Sequence, residues 1–149
     1  MLELPRQLNL FENAGPLLAR LRAEEPFPSE AAMVARAREI VTTLSEAEQI
    51  AVINAHPRIG ERPDQLSAAS LAEQGYDEPP EVMLRLAVLN EEYEQKFGFR
   101  FVVFVNRRPK QAIVPVLEAR LRSTRDEERR TALREILAIA EDRLTRREG

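Results

Sequence analysis

The stretch Pro80-Glu81-Val82-Met83-Leu84-Arg85-Leu86-Ala87-Val88-Leu89-Asn90-Glu91-Glu92-Tyr93-Glu94-Gln95-Lys96-Phe97-Gly98-Phe99-Arg100-Phe101-Val102-Val103-Phe104-Val105 decides the fold class. Its first part reads as a helix: Val82, Leu86, Leu89, Tyr93 and Phe97 recur at steps of four, three, four and four, which lines them up on one apolar face. Pro80 suits a first turn, where its missing N–H costs nothing, and Gly98 suits a left-handed C-cap. The second part, Phe99 to Val105, is short, β-branched and aromatic, so propensity alone makes it a buried strand. No other run in the chain offers it a partner. A lone strand leaves its backbone donors and acceptors unpaired, so the expectation is an extended segment buried between helices.

Working outward, every other periodic segment is helical. Asn13 can cap a helix over about residues 14 to 24 with Leu17, Leu18 and Leu21 inward, and Pro26 and Pro28 end it. Ser29 opens a second helix with Met33, Val34, Ala37, Ile40, Val41 and Leu44 on one side. In Ser45-Glu46-Ala47-Glu48 the spacing is that of a capping box, which starts a third helix with Ile50 and Ile53 inward. That helix must stop near Ala55, because Pro57 disfavours helical dihedrals at His56. Residues 57 to 66 read as a loop and Ser67 to Gln74 as a short fourth helix, closed by Gly75 and Pro79-Pro80. Beyond the extended segment, Pro109 can begin a helix carrying Ile113, Val116, Leu117 and Leu121. Asp126 can lead into a last one carrying Leu133, Ile136, Leu137, Ala140 and Leu144. The expected architecture is all-α: a single compact domain over residues 1–149, of about seven helices with one buried extended segment.

Composition narrows the chemistry. With 149 residues and 44% apolar content, the chain suits one core that buries roughly two-thirds of its unfolded surface. Zero cysteines and one histidine exclude disulfides, thiolate nucleophiles, cysteine-ligated zinc and any site built on several imidazoles. A net charge of −3 gives no reason to expect nucleic acid as a partner. No apolar run approaches the roughly 18 residues of a membrane span, and the first residues lack a signal-peptide pattern, so the expectation is a soluble cytoplasmic protein. Whether it forms a homodimer is left open by the sequence.

Three places can carry chemistry. His56 sits at a rigid helix-to-loop junction, and an imidazole with its ordinary pKa of about 6.5 both gives and takes protons at neutral pH. A lone histidine at a helix end can equally be a cap. Ser70-Leu71-Ala72-Glu73-Gln74 offers a hydroxyl, a carboxylate and an amide within one turn; Ser70 and Glu73 also have capping-box spacing, whereas Gln74 does not share that explanation. If these face His56, Glu73 can orient the imidazole while Ser70 and Gln74 bind a polar heterocycle. The backbone of Phe101, Val102, Val103, Phe104 and Val105 is the third, with donors and acceptors that suit a ureido or imide group, although its side chains read as core. Arg100, Arg107 and Arg108 flank it and can hold a carboxylate. Arg125, Arg129, Arg130 and Arg134 alternate with Asp126, Glu127, Glu128 and Glu135, and this mixture reads as a solvated face.

Taken in order, Ala55-His56-Pro57-Arg58-Ile59-Gly60, Ser70-x-x-Glu73-Gln74 and Leu89-Asn90-x-x-Tyr93-x-x-x-Phe97-Gly98-Phe99-Arg100-Phe101-Val102 resemble the OHCU decarboxylase family. The full family name is 2-oxo-4-hydroxy-4-carboxy-5-ureidoimidazoline decarboxylase. The resemblance is strong from residue 49 to about 122. It implies a cofactor-free helical enzyme that takes a small ureidoimidazoline from urate oxidation to (S)-allantoin and carbon dioxide. It also implies that His56 is the catalytic histidine and Glu73 its carboxylate partner, with Pro57, Ser70, Gln74 and the backbone of Phe101 to Val105 contacting substrate. The chain departs from the family pattern in three places: it has Gly15-Pro16-Leu17 where many members carry Trp, a short Pro-rich stretch after Gln74, and Asn106 after Val105. A helical interaction module that keeps the fold, and a lyase or hydrolase of another ureide, are the competing readings. The first predicts no polar pocket around His56.

Overall fold

The computed structural model describes residues 10–11, 15–60 and 79–148. Among them six helices follow in order: α1 (Gly15–Ala23), α2 (Glu30–Val41), α3 (Glu46–Asn54), α4 (Pro80–Phe97), α5 (Lys110–Arg120) and α6 (Arg125–Glu148), and no strand is present among these residues. The expected helix over 67–74 and the Asn13 cap lie outside the described residues.

Helix boundaries follow local chemistry. Ser29 accepts a hydrogen bond from the Ala32 N–H (3.0 Å) and starts α2. At α3, Ser45 Oγ accepts from the Glu48 N–H (3.1 Å) while Glu48 accepts from the Ser45 N–H (3.0 Å), which satisfies two orphan donors reciprocally. Gly98 closes α4 at φ 82, ψ 12, a left-handed conformation that a Cβ would strain. The last helix begins at Arg125, ahead of the Asp126 that the sequence offers as its lead-in, and Thr124 Oγ1 accepts a first-turn N–H, that of Glu127 (3.2 Å).

The contacts divide into two compact units. One takes the described residues up to His56 and those from Leu133 on; the other takes those from Pro57 to Ala132, so α6 contributes to both. In the first unit α1 packs on α2 and on α3, and Leu17, Leu21, Met33, Ile40 and Ile53 lose essentially all solvent contact. In the second α4 packs on α5, around Leu86, Tyr93, Phe97, Phe101, Ile113 and Leu117.

The run from Phe101 to Val105 forms no helix, turn or bend and belongs to no sheet among the described residues, as expected of an extended segment. All of it but Phe104 is buried. A tight turn then reverses the chain, with Asn106 and Arg107 at positive φ (51 and 61).

Candidate active site

His56 is the second residue past α3, after the C-cap Ala55. Its N–H donates to the Ile53 carbonyl (3.2 Å) and closes the last turn, and its side chain is buried, 3% exposed. Burial at a helix end distinguishes it from an ordinary solvated cap. The loop that follows is fastened to α4 at two points. Arg58 donates from Nε and Nη2 to the two carboxylate oxygens of Glu94 (2.6 and 2.9 Å), a bidentate fork that fixes orientation as well as distance. Asn90, itself buried, donates from Nδ2 to the Ile59 carbonyl (3.0 Å). Gly60 adopts φ +82, with Leu86 and Met83 side-chain atoms an ordinary 3.7 Å from where a Cβ would stand, so a side chain here would be strained by its backbone and not by its neighbours. The backbone from Pro57 to Gly60 is therefore held rigidly.

The extended segment is held by arginines. Arg120 Nη1 donates to the Val102 carbonyl (2.7 Å). Arg108 donates from Nη2 to the Phe104 carbonyl (2.6 Å) and from Nε to that of Val105 (2.9 Å), the latter also accepting the Arg108 N–H (3.1 Å). Each of these carbonyls thus has at least one lone pair engaged, which shifts what the segment can offer a ligand toward its N–H groups. Arg108 is committed to its own turn rather than presented as a carboxylate clamp.

His56 is the last residue of the first unit; Pro57 and the segment 101–105 belong to the second. Ser70, Glu73 and Gln74 lie outside the described residues. A cavity of about 440 Å³ opens in the second unit beside Arg58, Asn90, Glu91 and Glu94. Arg58, Ile59, Gly60 and Asn90 of the motifs quoted above line it, but none of the described candidate catalytic or substrate-contacting residues does, and its charged walls include the engaged Arg58–Glu94 pair, so we do not assign it as the reaction site.

Sequence reading missed a buried charge cluster. Glu128, assigned above to a solvated face, is 1% exposed. Its Oε1 accepts from Arg120 Nε (2.7 Å) and from the Tyr93 hydroxyl (2.6 Å). The Arg120 guanidinium also lies over the Phe101 ring, 4.5 Å from its centroid. Burial, followed by the hydrogen bond to Glu128, pushes the Tyr93 hydroxyl well above its ordinary pKa. A signal for Glu128 existed: stepping back by four from Ala140 through Ile136 and Ala132, all fully buried, lands on it. An acid on the apolar stripe of a helix has to find its partner inside.

These observations define a class: an all-helical domain with one buried extended segment and its sole imidazole buried at a helix end. The chain belongs to the OHCU decarboxylase family, whose model matches residues 6–145. It is 33% identical over 142 residues to the 2-oxo-4-hydroxy-4-carboxy-5-ureidoimidazoline decarboxylase of Haloferax volcanii, covering 93% of this chain and 84% of that one. It is 34% identical to a uric acid degradation bifunctional protein of Bacillus sp. (strain TB-90), across 91% of this chain but 28% of the longer protein. In fold it matches a crystal structure of an OHCU decarboxylase in the presence of (S)-allantoin, with TM-score 0.76 at 20% identity, covering 94% of this chain and 95% of that one.

Proposed function

We propose that this chain decarboxylates 2-oxo-4-hydroxy-4-carboxy-5-ureidoimidazoline to (S)-allantoin in urate degradation. The observation that carries the reading is the family match over nearly the whole chain, joined to a histidine buried at a helix end and followed by a rigidly held loop.

The reaction loses carbon dioxide and nothing else. The bond from the ring carbon to the carboxylate breaks, and its electron pair passes into the adjoining ring. The hydroxyl on the same carbon gives up its proton as a carbonyl forms, the neighbouring ring carbon takes up a proton, and the ring nitrogen that receives the electron pair takes one more from solvent. No electron acceptor is needed. His56 accepts the hydroxyl proton and returns one to a single face of the ring, which sets the S configuration. Glu73 holds the imidazole in the tautomer this requires. Ser70, Gln74 and Pro57 contact the substrate, and N–H groups of Phe101 to Val105 face the negative charge that develops as carbon dioxide leaves. An apolar enclosure keeps water from the intermediate.

The test is a stereochemical assay on freshly generated substrate. The wild-type chain should yield optically pure (S)-allantoin faster than spontaneous decay, and His56→Asn should stay folded while turnover falls to background. Racemic product at the spontaneous rate from the wild-type chain, or full activity in the variant, would sink the assignment.

A further inference from the structure

Arg120 holds more than a salt bridge. Its plane is set by two contacts, Nε on Glu128 Oε1 (2.7 Å) and the flat face over Phe101, and Glu128 is itself held by the Tyr93 hydroxyl (2.6 Å). From that mount Nη1 reaches the Val102 carbonyl (2.7 Å). The pair is enclosed, with side-chain exposures of 11% for Arg120 and 2% for Glu128, so water screens it little.

The Val102 carbonyl and the Val103 N–H belong to one planar peptide unit. A cationic donor on the oxygen draws electron density from the whole unit, fixing its plane and making its N–H a stronger donor. We propose that Arg120 is a positioning residue for the decarboxylation: through the Val102 carbonyl it orients and polarises the Val103 N–H toward the charge that develops as the carboxylate leaves. This rests on the reading above that the backbone of 101–105 contacts substrate. It also gives a reason to bury charges that, for stability alone, apolar side chains of equal volume would replace without loss.

The test combines kinetics with amide NMR on the full chain. Arg120→Lys keeps the charge and a bond to Glu128 but loses the planar fork. Its kcat should fall by about tenfold, a fraction of what removing an oxyanion donor outright costs, with the pH midpoint of turnover unmoved. Ile40→Val trims the buried core of the first unit, so it lowers stability without touching the Arg120–Glu128–Tyr93 cluster or the Arg120–Val102 bond, and should keep the wild-type kcat. In the wild-type chain, saturation with (S)-allantoin should move the Val103 amide proton downfield. Wild-type kcat in folded Arg120→Lys overturns the proposal, as does activity that tracks stability across both variants. A Val103 amide indifferent to bound allantoin overturns it even if Arg120→Lys does not fold. A wild-type chain that neither binds allantoin nor decarboxylates the substrate instead removes the functional reading beneath it.

Discussion

The Arg36 and Arg38 ion pairs of the first compact unit and the Arg120–Glu128 pair of the second differ in burial. In the first, Arg36 meets Glu24 (2.6 Å) with both side chains more than a third exposed, at 42% and 37%, and Arg38 meets Glu141 where both are half exposed. In the second, the Arg120–Glu128 pair sits beneath a set of packed rings, with Tyr93 centred 4.6 Å from Phe97 and 5.3 Å from Phe101. The distances alone would not separate these pairs. Exposure does: a surface pair is screened and adds little, whereas a buried pair adds little over an apolar substitute yet is costly to break from one side. The exposed Arg36 and Arg38 pairs decorate a core that apolar packing already holds, as does the exposed Arg85–Glu118 pair of the second unit. The buried Arg120–Glu128 pair constrains geometry.

The largest effect expected from this difference is at Glu128. Glu128→Ala strands the Arg120 guanidinium and the Tyr93 hydroxyl in the interior, and should cost about 3–5 kcal/mol in urea unfolding. Replacing Glu128 and Arg120 together by Met removes both charges and should recover most of that loss. If the double variant is no more stable than the single one, the cluster stabilises the fold in its own right and the contrast between these pairs fails.

Tyr93→Phe should come next, at about 1.5–3 kcal/mol, the range for a hydrogen bond to a charged partner. Glu128 keeps its bond from Arg120 in this variant, which is why the loss is smaller. Its pH dependence sharpens the comparison. Burial raises the Tyr93 pKa in the folded state above the ordinary 10.0, so the folded chain holds a proton that the unfolded chain releases. The stability this group contributes is present in full below about pH 10 and declines as pH rises beyond it. Unfolding midpoints measured from pH 9 upward should fall less steeply in Tyr93→Phe than in the wild-type chain.

Much of the fold was legible because helix signals are local. The stripe from Met33 to Leu44, the Ser45–Glu48 box and Gly98 each depend on residues within a turn or so of one another, and each appears as read. The extended segment was legible by exclusion, since a strand-like run without a partner cannot form a sheet. Glu128 was not, because mixed charges along a helix resemble a solvated face until the apolar stripe is traced back onto them. Arg120 was hidden for a stronger reason: its partners Phe101, Val102 and Glu128, and the Tyr93 that holds Glu128, lie on three different stretches of chain, and no spacing rule joins them. At the candidate site, Pro57 marked the helix end at His56, but the clamps on the loop behind it, Arg58–Glu94 and Asn90–Ile59, are tertiary and had no local signature.

The smallest expected effect lies in the first unit and tests the other half of the comparison. Ser45→Ala removes the hydroxyl that accepts the Glu48 N–H, and should cost about 1 kcal/mol at neutral pH, as loss of a helix N-cap does. The reciprocal bond, from the Ser45 N–H to the Glu48 carboxylate, is the first cause that lowers the Glu48 pKa below its ordinary 4.5. A depressed folded-state pKa contributes stability that is present above the unfolded value and lost as pH falls through the folded one. Acid unfolding of Glu48→Gln should therefore be less steep below pH 4.5 than that of the wild-type chain, while Arg36→Ala, at the surface pair, should leave neutral-pH stability unresolved from wild type. A large loss in Arg36→Ala would mean that the surface charges of this unit hold its structure after all, and the division between decorative and constraining charges would have to be redrawn.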